Sequence, residues 1–309
     1  MRRFGGSWLA ATALLLAACF LRVFHLDLQS ATGDDAFSLR IAQHPLGEIV
    51  QLARHELHPP LFYFLLHAWQ PLAGTSEFAG RFLAVALGVL AVAAIFRLAL
   101  ALGGTTLGLA ALLLAAINPF LIDFSQQVRA YPQMVGLLAA SAYMQWRVLQ
   151  RPSAGRWAVY VMATALALYS HLFAAFVLLA EDVLFVLLAA GGRFKDVRGW
   201  ILSQAAIALA YAPWLALDNA ALQSYGNDLV RRASLPGMAA ALVPAFLSGL
   251  GSHAPPGELA LVGLTVAAGL LLWLYKRESA RAMGSGFGRA ALLLACWLFV
   301  PLLAYTTLL

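Results

Sequence analysis

Two neighbouring carboxylates and one distant arginine are the side chains best suited to chemistry. Asp34 and Asp35 stand in GDDAFSLRIA, shortly beyond the first apolar stretch. Arg129 and Tyr131 stand in NPFLIDFSQQVRAYPQ, just beyond the third. One carboxylate of such a pair can take a proton from a hydroxyl while the other orients it. An arginine fork binds phosphate through two parallel hydrogen bonds and stays charged. Together they suit a reaction in which a lipid phosphate leaves and a hydroxyl attacks. Each string also has a plainer reading. The Asp pair fits the start of a helix. Arg129 and Tyr131 fit a basic residue and an aromatic anchored at a membrane surface.

Further candidates extend the set. His58 precedes Pro59-Pro60 in HPPLFYFLLHAW, where the prolines start a helix and fix the histidine's direction. Arg81 opens the second apolar stretch, and His171 lies in LYSHLF at a tight turn between two others. Glu181-Asp182 falls inside an apolar segment, where ionisable groups point to function; a proton relay in a transporter is one reading. HELH resembles a zinc motif, but its histidines are three apart and run into Pro-Pro. The spacing therefore argues against a zincin site. His44, His55, His58 and His67 with Glu48 and Glu56 are the other potential ligands.

The positioning elements follow from composition. The 309 residues are 62% hydrophobic and 11% charged, and the mean hydropathy is +0.80. A soluble domain carries about 25% charged residues. The fold class expected is all-α, a polytopic integral membrane protein. Nine segments of roughly 17–25 residues qualify as spans. They are Ser7–Phe24, Arg81–Leu102, Thr105–Ile122, Pro132–Leu149, Trp157–Leu172, Phe173–Ala190, Trp200–Leu217, Leu259–Tyr275 and Ala290–Leu308. The first is expected to be a retained signal anchor. The two cysteines, Cys19 and Cys296, lie in apolar segments and carry no disulfide or metal pattern.

The net charge of +6 is almost entirely arginine, spread over segment ends rather than gathered in a basic run. That argues for topology and against nucleic acid. With the N-terminus in the cytoplasm, 13 of the 20 basic residues fall inside. The loop 25–80 then faces outward and carries interfacial helices, an amphipathic Ser38–His55 and an apolar Pro60–Trp69. A second outer segment, 218–258, holds a further interfacial or re-entrant helix at Met238–Leu250.

The strings, in this order, resemble the GT-C superfamily of membrane glycosyltransferases. The likeness is to bacterial relatives of the dolichyl-phosphate-mannose protein mannosyltransferases and of the lipid A aminoarabinose transferases. GDDAFSLRIA, HPPLFYFLLHAW, SEFAGRF, NPFLIDFSQQVRAYPQ, LYSHLF and YAPWL carry it, over residues 8–217. Asp35 stands where the family has Glu, and Gln127 stands where it has Glu. The family continues further, so one GT-C-type domain over 1–309 lacking the family's C-terminal part is expected.

The resemblance implies an inverting glycosyltransferase at the outer face of the cytoplasmic membrane. It would move a sugar from a polyprenyl-phosphate donor to an acceptor glycan, lipid or protein among the membrane lipids. Asp34 would be the general base and Asp35 its helper or a sugar contact. His58, Arg81, Arg129, Tyr131 and His171 would bind the donor phosphate and substrate. No cofactor is expected, and a divalent metal stays open. The alternatives are a lipid-linked-sugar transporter and a non-catalytic membrane protein.

The topology has a direct check. With Cys19 and Cys296 replaced, a cysteine at Ser76 should label with an impermeant thiol reagent in intact spheroplasts. Labelling only after lysis would reverse the orientation.

Overall fold

The structure is a computed structural model that describes residues 2–28, 33–54 and 58–217. Its elements are all helical: α1 (Arg2–Val23), α2 (Gly33–Ile41), α3 (Leu46–Ala53), α4 (Leu61–Ala73), α5 (Glu77–Ile117), α6 (Pro119–Ser125), α7 (Tyr131–Gln150), α8 (Ala154–Ser170), α9 (Ala174–Ala190) and α10 (Val197–Leu217). No strand occurs among the described residues. The seven spans expected before residue 218 all fall on helices. The second outer segment and the last two expected spans lie outside the described residues.

Among the described residues, three helices are long and apolar enough to cross a membrane: α1 from Gly6, α5 and α10. Their large apolar side chains point outward, as at Trp8, Leu9, Leu16, Leu90, Leu202 and Leu209. An apolar exterior suits lipid, which is as apolar as leucine. The chain is a multi-pass membrane protein.

The 41 residues of α5 are two arms, not one rod. Gly104 adopts φ 75°, a left-handed conformation that favours glycine, and the chain folds back there. A side chain at Gly108 would press on Phe96 and Leu100 of the first arm. The second arm ends at Ile117, earlier than the Ile122 expected from hydropathy. Asn118 is the reason. Its side chain accepts from Leu121 N at 2.9 Å, and Pro119 occupies the first turn, so a new helix starts there.

The expected Ser38–His55 helix is likewise two, α2 and α3. Pro45 lacks the N–H that a continuous helix would need and instead precedes α3. Ser76 caps α5, accepting from Ala79 N at 3.2 Å. Thr75 is therefore the gentler site for a labelling cysteine.

Helices α1, α5, α7, α8 and α10 pack in that order, with α9 against α7 and α8. The short helices α2 to α4 gather at one end, α4 touching both α5 and α8. Small residues permit close approach: Gly136 of α7 faces the backbone of Ala91 on α5, and a side chain at Gly80 would overlap Leu39.

One buried carboxylate ties this end together. Asp35 Oδ1 accepts from Val128 N at 2.8 Å, and Oδ2 accepts from Arg81 Nη2 at 3.0 Å. Arg81 Nη1 also donates to Leu26 O, just past α1, at 3.1 Å. Both charged side chains are almost wholly buried. Breaking such a pair leaves a lone buried charge and costs about 3–5 kcal/mol, more than an exposed pair ever contributes. Asp35→Ala should therefore sharply lower the folded yield and the midpoint of heat denaturation in detergent. Adding Arg81→Met should recover part of the loss. An unchanged midpoint in the single variant would remove the clamp from the account.

Candidate active site

The clamp fixes α2, and α2 fixes Asp34. Successive helical residues point about 100° apart, so with Asp35 turned inward, Asp34 faces out of the core. Its side chain is 69% exposed. Neither carboxylate is the residue preceding the helix; both lie in the first turn of α2. There they favour the helix through its dipole. Asp35 Oδ1 accepts from the N–H of another segment, that of Val128.

The strand of chain between α6 and α7 is shaped residue by residue. Ser125 Oγ accepts from Arg22 Nε at 3.2 Å. Gln126 Nε2 donates to the carbonyls of Arg22 and Phe24 at 3.0 and 3.1 Å. Val128 docks on Asp35, and Arg129 Nη2 donates to Asp34 Oδ2. Thus the SQQVR string follows α1, then α2, before α7 begins at Tyr131.

Arg129 is buried, and its Nε and Nη1 have no hydrogen-bond partner among the described residues. Burial works against its charge, but the bond to Asp34 and that carboxylate's charge outweigh it and hold the guanidinium more firmly protonated than usual. Nearby, both ring nitrogens of His58 are buried and unpartnered. The His58 ring lies 4.7 Å from that of His171 and 6.1 Å from that of Tyr131, both edge-on. Burial first, then the charges of His171 and Arg129, push His58 down to about 3, against the pull of Asp34. It is neutral at pH 7. His171 accepts from Phe173 N through Nδ1 at 3.1 Å. That bond leaves the ring proton on Nε2.

Asp34, His58, Arg129, Tyr131 and His171 are therefore brought together. Asp35 and Arg81 stand behind them, paired with one another. An apolar groove of about 360 Å³ begins at Tyr131 and runs between α5, α6 and α7 past Phe124, Val92, Ile95 and Met134. Arg22 forms part of its wall.

Arg22 is the feature that the sequence hid. It is fully buried and pairs with no carboxylate among the described residues. Its guanidinium donates to the carbonyls of Ala18, Ala115 and Ala116, each at 3.1 Å. In the sequence it is one arginine among several at segment ends. The only hint is that Gly88 and Ser125, which it packs against, are both small.

Glu181 is also held internally. Ser141 Oγ donates to its oxygens at 2.9 and 3.0 Å, and Asp182 accepts from Trp200 Nε1 at 2.9 Å. Of the potential zinc ligands, His44 pairs with Glu48 at 2.9 Å, and His67 bonds to Ala42 O at 2.8 Å. No group of three or more His, Cys, Asp or Glu able to hold a metal ion occurs among the described residues. His55 and Glu56 lie outside them.

The pattern of the dolichyl-phosphate-mannose-protein mannosyltransferases matches residues 57–216, a little over half of the chain. It takes in His58, Arg81, Arg129, Tyr131 and His171; the Asp34-Asp35 pair lies before it. No curated protein sequence matches significantly. Among solved structures, the S. cerevisiae protein O-mannosyltransferase Pmt1-Pmt2 complex bound to the sugar donor is similar in fold. The TM-score is 0.50 at 14% identity, over 71% of this chain and 34% of that one. The archaeal oligosaccharyltransferase AglB from Archaeoglobus fulgidus, in complex with an inhibitory peptide and a dolichol-phosphate, aligns with TM-score 0.48 at 14% identity. It covers 88% of this chain and 38% of that one. The chain thus spans little more than a third of the length of these structures. By the match over residues 57–216, it belongs to the dolichyl-phosphate-mannose-protein mannosyltransferase family, within the GT-C superfamily.

Proposed function

We propose that the chain transfers a sugar from a polyprenyl-phosphate donor to a hydroxyl or amine of a glycan, lipid or protein acceptor. The reaction takes place at the outer face of the cytoplasmic membrane and inverts the anomeric carbon. One observation carries this reading. A buried arginine spends one nitrogen on Asp34 and keeps two unpartnered, beside a neutral histidine whose ring nitrogens are both unpartnered. Unmet buried donors cost about 1–3 kcal/mol each. A phosphate oxyanion would accept from both free guanidinium nitrogens and from the one ring N–H that the neutral histidine carries.

The steps follow from these groups. The donor phosphate takes the Arg129 fork, and Asp34 gives up that partner. Asp34 then accepts the proton of the acceptor hydroxyl. The freed oxygen attacks the anomeric carbon from the side opposite the phosphate. The carbon–oxygen bond to phosphate breaks, and the electron pair leaves with the phosphate. Arg129 stabilises that charge as it forms, and His58 and Tyr131 donate hydrogen bonds to it. Asp35 helps by holding α2 and the loop that carries Arg129. The first isoprene units of the donor lie in the groove beyond Tyr131.

Membranes given a radiolabelled polyprenyl-phosphate hexose test the roles. Asp34→Asn should cut transfer about a hundredfold or more, as when a positioned base is lost. Its folded yield should persist because the side chain is exposed. Arg129→Lys should raise the donor KM and lower kcat, since lysine keeps the charge but not the fork. Wild-type turnover in both variants would rule out this mechanism.

The depressed His58 also sets an acid response. Below pH 6.5 the unfolded chain binds a proton that the folded chain refuses until about pH 3. Stability should therefore fall as pH drops through that window. The heat-denaturation midpoint measured from pH 7 to pH 4 should decline less steeply in His58→Leu than in the wild type. Equal slopes would mean that His58 titrates normally.

A further inference from the structure

A second charged cavity lies at the far end of the bundle. Arg97 on α5 and Arg147 on α7 each stand sixteen residues beyond a residue of the candidate site, Arg81 and Tyr131. At 1.5 Å per residue that is about 24 Å, most of the ~30 Å of a bilayer's hydrocarbon core. The two arginines converge on one phenol. Arg147 Nη1 donates to Tyr143 Oη at 2.7 Å, and Arg97 Nη2 donates to it at 3.4 Å. Their guanidinium carbons lie 5.7 and 5.6 Å from the same ring centroid.

Among the described residues no carboxylate pairs with either arginine. The hydroxyl proton of Tyr143 has no acceptor there either. Arg156 adds a third cation, donating to the carbonyls of Arg147 and Arg151 at the end of α7. Buried Trp146 ties α7 to α5 at the same level, donating to Ala101 O at 3.1 Å. Between Arg97, Tyr143, Arg147 and Gln150, over Leu100 and Ala101, opens a cavity of about 260 Å³. Orientation in the membrane asks only that arginines accumulate on one side. It does not ask two of them to share one oxygen at the mouth of a cavity.

We propose that this cavity binds a phosphate group, carried by the head of an anionic lipid or by a soluble phosphate. The Arg97 and Arg147 forks hold its oxygens, and the Tyr143 hydroxyl donates the third bond. A choline head would bring a second cation against the arginines, so zwitterionic lipids bind less well.

The purified full chain in detergent, given phosphatidylglycerol or phosphatidylcholine, tests this by native mass spectrometry. The wild type should retain one phosphatidylglycerol in preference to phosphatidylcholine. Arg97→Gln should weaken that retention about tenfold, as expected for one lost charge-assisted pair. Arg97→Gln with Arg147→Gln should abolish it. Arg97 is exposed, so its variant keeps the fold, which circular dichroism verifies. Millimolar inorganic phosphate separates the sources. Displacement of the lipid assigns the site to soluble phosphates as well, and no displacement restricts it to lipid heads. Equal phosphatidylglycerol retention by the wild type and Arg97→Gln would overturn the proposal, as would no preference over phosphatidylcholine in the wild type.

Discussion

Asp35 accepts a backbone N–H with one oxygen and a guanidinium with the other, and three separate stretches of chain meet at that carboxylate. Helix α2 brings it, α5 brings Arg81, and the α6–α7 loop brings Val128. Through Arg81 a fourth stretch, the exit from α1, is held as well. A buried ion pair adds little net stability over a well-packed apolar pair. Its value here is geometric. A carboxylate in a dry site has few acceptable arrangements, so the loop bearing Arg129 has few as well.

Three of the strings behind the family resemblance are legible because they also encode local structure. NPF is an asparagine cap followed by a proline that starts α6. SEF holds the serine cap of α5. HPP leads directly into α4 at Leu61. Local signals of this kind act over three or four residues and survive in a sequence read alone. The fold-back at Gly103-Gly104 belongs to the same class, since one left-handed residue suffices.

What the sequence concealed depends on distant partners. Asp34 and Asp35 look equivalent in GDDAF, yet one is exposed and the other is 1% exposed. Nothing local separates them; Arg81 and Val128 do. Arg81 had the look of a phosphate ligand or a surface anchor and instead faces Asp35. Arg22 was hidden for a similar reason. Its partners are backbone carbonyls, which every residue possesses and no motif can advertise. The break between α2 and α3 lies at Pro45, inside a stretch whose apolar spacing continues on both sides.

The adjacency of the two aspartates has a kinetic consequence. A short exposed helix end would ordinarily leave its carboxylates free to wander, and each would meet an acceptor in a productive pose only rarely. Helix α2 cannot rotate about its axis, because Asp35 is pinned from two sides. The backbone of Asp34 is therefore immobilised during folding, before any substrate arrives. Groups held in this way behave as though present at very high local concentration, with effective molarities of about 10⁵–10⁸ M in well-oriented cases. The proposed base thus starts from a small entropic barrier because its neighbour, held by Val128 and Arg81, has already given up its own freedom.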